Sequence, residues 1–93
     1  AVITYDPDGA IVRIERSVEG GNDGIVVTAD GTKYASSVRY GSVSRIQPGQ
    51  EAEVIASGIP SAASMCYDST QNQLVIPLNS NYALAFVRLD GLD

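Results

Sequence analysis

The sequence predicts an all-β chain built from a repeated unit of short antiparallel strands. Three observations predict it. Short apolar runs alternate with turn signals such as Asp30-Gly31 and Pro48-Gly49. Nine glycines and a scarcity of helix-forming runs favour tight turns over helices. The pattern also recurs with a period of about 41 residues. When 31–50 is laid over 72–91, Tyr34 meets Val75, Val43 meets Leu84 and Ile46 meets Val87. Moved back by the same interval, Val2 meets Val43, Tyr5 meets Ile46 and Pro7 meets Pro48. A single-residue slip near Gln71 is absorbed in a turn.

Within one period four strands are expected. Strand A covers roughly 24–28 and ends in the turn Ala29-Asp30-Gly31-Thr32, whose Asp-Gly pair is a hairpin signal. Strand B covers roughly 32–36, and 37–41 loops over to strand C at roughly 42–47, anchored by Val43 and Ile46. Gln47-Pro48-Gly49-Gln50 is a second tight turn, with Pro48 suited to its second position. Strand D covers roughly 52–57. Four antiparallel strands in about 40 residues is the sequence signature of a β-propeller blade. A β-sandwich would show similar strands but has no reason to repeat at a fixed period.

The whole chain then reads as one propeller segment of nine strands. Residues 1–19 supply strands C and D of one blade, 20–60 a complete blade, and 61–93 strands A to C of the next. A propeller needs about four blades to close, and each blade is buried only against its neighbours. The segment is therefore expected to be unstable alone, with the remaining blades coming from a companion chain or further copies.

Composition excludes several functions. The 93 residues are 44 % hydrophobic and 18 % charged, as in a folded domain. A net charge of −5 with six scattered Lys and Arg argues against nucleic-acid or anionic-membrane partners. The uncharged run from Val54 to Tyr67 is broken by Gly58, Pro60 and serines, so it is not expected to span a bilayer. With no histidine, the chain lacks the usual general base and the commonest zinc ligand. Cys66, the sole cysteine, is expected as a buried small hydrophobe. Nothing in the composition sets a cellular compartment.

Residues 20–48, GGNDGIVVTADGTKYASSVRYGSVSRIQP, resemble the blade pattern of the SMP-30/gluconolactonase/luciferin-regenerating-enzyme family and the related NHL-repeat propellers. The matching positions are Asn22-Asp23-Gly24, Ile25 to Thr28, Asp30-Gly31, Tyr34, Gly41, Val43, Arg45-Ile46 and Pro48-Gly49. Residues 60–89 look like the final blade of bacterial members. The resemblance implies a six-bladed propeller for the whole assembly. It also implies a hydrolase that opens lactones or related esters with one divalent metal, often calcium, at the channel mouth. An oxygen ligand suits such a hard cation.

Asp23 matches the position of a family metal ligand and proton shuttle, so the resemblance makes it the catalytic and metal-binding candidate. The other ligands would lie outside this chain. The residues themselves leave another reading open: Asn22-Asp23-Gly24 as a turn before a strand. If strand A runs away from the mouth, its start and the B–C loops lie at the mouth. Asn22, Ser37, Arg39 and Tyr40 then become candidate substrate-binding residues, joined one period later by Asn79, Asn81 and Tyr82. Ser64, at the opening of the next blade, joins them but offers no carboxylate. Arg39 is suited to clamp an anionic or lactone oxygen, whereas Asp6 and Asp8 belong to a turn on the far side. A non-catalytic NHL-type propeller that binds a protein or saccharide is the alternative, as is a split or designed fragment whose role is assembly.

Overall fold

A computed structural model of the chain describes residues 2–60, 62, 64–78 and 83–91. Asn79, Asn81 and Tyr82 lie outside the described residues. Those described contain no helix and nine strands, β1 Val2–Tyr5, β2 Ile11–Glu15, β3 Asn22–Val27, β4 Lys33–Ser37, β5 Ser42–Ile46, β6 Glu53–Ala56, β7 Cys66–Asp68, β8 Gln73–Leu78 and β9 Ala83–Arg88. Every pairing is antiparallel and joins strands consecutive in sequence. Three sheets result, β1-β2, β3-β4-β5-β6 and β7-β8-β9.

The turn chemistry explains where the strands stop. Gln50 N–H donates to the Gln47 carbonyl at 3.0 Å, closing a turn with Pro48 second and Gly49 third. Gly49 there has φ 73, the value that a turn of this type demands. Between β3 and β4, the Asp30 carboxylate accepts from Thr32 N–H at 3.0 Å, and Gly31 takes φ 87. The matching turn between β7 and β8 places Asn72 at φ 50. Asn tolerates this left-handed conformation better than other non-glycine residues do. That turn is one residue shorter, because Asp68 pairs with Gln73 where Val27 pairs with Lys33.

The central sheet is covered on both faces, so every residue of β4 and β5 is buried. Alternation along the strands sends Tyr34 and Val43 to one face, where they join Leu74, Ile76, Ile59, Ala62 and Leu89. Ala35 and Ile46 go to the other, against Val2 of β1. Two of the buried serines on this second face, Ser37 and Ser44, bind the β2–β3 connection. Ser44 Oγ accepts from Val18 N–H at 3.2 Å, and Ser37 Oγ donates to the Gly20 carbonyl at 2.6 Å. Small hydroxyl side chains thus let the β2–β3 connection lie flat on the sheet while satisfying its backbone. Lys33, also buried on this face, places Nζ 2.5 Å from Glu15 Oε1 on β2.

Cys66 departs from expectation, being exposed. It pairs with Val75 and so shares the face of β7-β8-β9 that points away from the central sheet. No described residue covers that face.

Candidate functional site

The antiparallel course brings the start of β3 and the β4–β5 loop to one end of the central sheet. Strand β3 begins at Asn22, two residues before the sequence-based expectation, and its first residues form a bulge. Asn22 pairs with Ser37 and Ile25 with Ala35, so Asp23 and Gly24 together oppose Ser36. Gly24 N–H donates to Ser36 Oγ at 2.9 Å, which pins the bulge from inside. A bulge re-aims the side chain it carries. Asp23 is exposed and edges a hollow of about 230 Å³ between β3 and the β1-β2 hairpin.

The neighbouring polar groups are spent on scaffolding. Asn22 Oδ1 accepts from Ser17 Oγ at 2.9 Å. Its Nδ2 donates to the Glu19 carbonyl at 3.2 Å and the Ser36 carbonyl at 3.0 Å. Ser37 Oγ, besides its bond to Gly20, accepts from Tyr40 N–H at 3.3 Å. Asn22 and Ser37 therefore tie the β2–β3 connection to the β4–β5 loop.

Arg39 and Tyr40 are exposed at the tip of that loop, with the guanidinium 5.3 Å from the Tyr40 ring centroid. That distance suits a cation–π contact. Both line a second hollow of about 350 Å³, with Gly58, Ile59 and Pro60 on its other wall. Ser64 is exposed in the segment before β7.

Gly41 closes the loop under unusual constraint. It has φ 64, and a Cβ built there would stand 2.6 Å from the Ile59 carbonyl oxygen. Its own carbonyl accepts from Ile59 N–H at 2.9 Å. Gly41→Ala is expected to destabilise the protein by about 2 kcal/mol or more, since alanine pays for the left-handed conformation and meets backbone that cannot yield. Urea denaturation against wild type checks this. Gly49→Ala, open around its Cβ, is the control that carries the conformational cost alone.

A cleft that the sequence did not announce lies at the opposite end, between the central sheet and β7-β8-β9. It holds about 360 Å³ and is lined in part by Asp30, Tyr34, Arg45, Tyr67 and Asn72. The buried Arg45 guanidinium donates through Nε to Glu53 Oε1 at 2.7 Å. Tyr67 hydroxyl donates to Asn72 Oδ1 at 2.8 Å, and Asn72 Nδ2 to Asp90 Oδ1 at 2.8 Å. The Thr28 hydroxyl, then the Thr32 backbone, holds the Asp30 carboxyl below its ordinary value. The Asn72 amide, then Arg88, does the same for Asp90. The one sequence signal for this cleft is that Gly31 and Asn72 fall one period apart in equivalent turns.

Among the described residues no group of three or more His, Cys, Asp or Glu is placed to hold a metal. The hollow beside Asp23 is otherwise lined by Asn22, Gly24 and apolar residues. On their own, then, the described residues do not make up a divalent-metal site. Family models, curated proteins and solved structures yield no match to this chain.

Proposed function

We propose that the chain forms consecutive blades of a β-propeller, with the start of β3 at the channel mouth and Asp23 as its functional carboxylate. The observation that carries this reading is the agreement of strand order with the period. Adding 41 to the starts of β1, β4 and β5 gives 43, 74 and 83, each within a residue of the starts of β5, β8 and β9. Stacked four-stranded meanders at a fixed period are what blades require.

The activity that follows from the family resemblance is hydrolysis of a lactone or related ester. In it, Asp23 would be one oxygen ligand of a divalent cation completed by carboxylate and amide groups outside this chain. Such a cation supplies Lewis-acid polarisation of the ester carbonyl or an activated water. Asp23 suits the role, being exposed and held on a bulge. Arg39, exposed in the β4–β5 loop at the same end, would orient an anionic substrate group.

A second reading, a non-catalytic propeller that binds a protein or saccharide, is favoured by the engagement of Asn22 and Ser37 in the loop scaffold. Elemental analysis of the intact assembly, with the blades outside this chain in place, before and after chelation separates the two, repeated on Asp23→Ala. The hydrolase reading expects a stoichiometric divalent ion in wild type and its loss in the variant. Wild type without a bound ion, its fold intact, would leave the binding propeller.

A further inference from the structure

The two outward sheet faces stand at the period-equivalents of faces that pack together inside the chain, and the central sheet shows how such faces fit. Val2, Val43 and Leu84 occupy the same position in successive units. Val2 is buried against the central sheet, and Val43, 0 % exposed, against β7-β8-β9. Leu84, 54 % exposed, has no described sheet packed against it. Tyr5, Ile46 and Val87 occupy another shared position with the opposite outcome. Ile46 and Val87 pack against the preceding sheet, while Tyr5 is 57 % exposed. All three sheets therefore stack in one sense.

The leading face, on β7-β8-β9, presents Cys66, Val75, Leu84 and Phe86, with Phe86 58 % exposed. Three of these correspond to Tyr34, Val43 and Arg45, which in the central sheet face the following unit. The trailing face, on β1-β2, presents Ile3, Tyr5 and Ile14, with Ile14 59 % exposed. Its Ile3 and Tyr5 correspond to Ser44 and Ile46, which face the preceding unit. Apolar faces left open in this way on a small domain mark association surfaces.

We propose that the leading face docks the trailing face of a second copy of this chain, head to tail. The occupant follows from the repeat, because each face is the period-equivalent of one that already receives a neighbouring sheet of the same chain. The contact is heterologous, with different surfaces on the two partners, and so builds a ring or an open stack. The inference rests on the blade reading of the three sheets.

The test uses Phe86→Glu, which blocks the leading face, and Ile14→Glu, which blocks the trailing face. Both positions are exposed and lie outside the core of Val43, Leu74 and Ile76 that the chain buries by itself, so each variant is expected to keep its β circular-dichroism signal, at lower stability than the assembled blades. Sedimentation velocity is expected to show wild type self-associating with concentration, each variant alone as a monomer, and their mixture as a one-to-one dimer. Cys66, the sole cysteine, lies on the leading face and supplies a second readout. Alkylation of Ile14→Glu is expected to slow severalfold when Phe86→Glu is added in excess.

Wild type that stays monomeric at high concentration would overturn the proposal. So would an Ile14→Glu variant that still dimerises, because that is face-to-face pairing of leading faces. Open-ended growth of wild type would support head-to-tail docking while overturning the closed propeller.

Discussion

Leu74→Ala is expected to lower the unfolding free energy by about 2–5 kcal/mol, the range for emptying a buried leucine site. Leu74 is fully buried, pairs with Val87 across β8 and β9, and belongs to the cluster that joins the central sheet to β7-β8-β9. The cavity would open between two sheets and not within one. Rigid strands on both sides limit collapse, which places the cost toward the upper part of the range. Because the proposed self-association would add concentration-dependent stability, the variant and wild type are compared at one protein concentration by urea denaturation. Leu84→Ala, the exposed residue on the opposite face of the same sheet, is expected to change stability by about 0.5 kcal/mol or less under monomeric conditions. Equal losses in the two variants would mean that the inter-sheet core does not hold the fold.

Glu15→Ala is expected to cost about 3–5 kcal/mol, because it strands a buried ammonium. The Lys33 side chain is 7 % exposed, and Glu15 Oε1 is the acceptor that meets its Nζ. The loss reflects the charge left behind more than the worth of the pair. The double variant Glu15→Leu with Lys33→Met should therefore recover most of it, since apolar side chains of similar length can replace a buried ion pair at little cost. A double-mutant cycle by denaturation measures this directly. Arg88–Asp90, whose side chains are 60 % and 59 % exposed, is the contrast, and its removal is expected to change stability by less than about 1 kcal/mol. If Glu15→Ala behaved like that exposed pair, the packing of the hairpin on the central sheet would be wrong.

The strand order was legible because its signals are local. Asp30-Gly31 and Pro48-Gly49 dictate turns from their own backbone preferences, and the apolar runs between them have the length of strands. Expected strands at 32–36 and 42–47 become Lys33–Ser37 and Ser42–Ile46. The slip near Gln71 appears as the shorter β7–β8 turn. The start of β3 was not legible. Asn-Asp-Gly is a turn signal, yet here Ser36 from the next strand captures the Gly24 amide and turns the same residues into a bulge. That partner is 12 residues away in sequence, beyond any local pattern.

The candidate site divides in the same way. That the start of β3 and the β4–β5 loop share an end follows from hairpin topology, so Asn22, Asp23, Ser37, Arg39 and Tyr40 could be gathered from sequence alone. Which of them have uncommitted side chains could not. Asn22 and Ser37 look like binding groups until their bonds to Ser17, Glu19, Gly20 and Ser36 are known. Nor could a single chain of turn signals reveal the polar cleft around Arg45, because its walls come from two different sheets.

By itself the sequence determined an all-β chain, the order of its strands and the period that relates them, because turn residues and alternating apolar runs act over a few residues. The tertiary structure alone decided which faces are covered. Val43 and Leu84 hold equivalent positions in the repeat, yet one is buried and the other exposed. The difference is whether another sheet lies against them, and burial of apolar surface depends on the neighbour as much as on the residue.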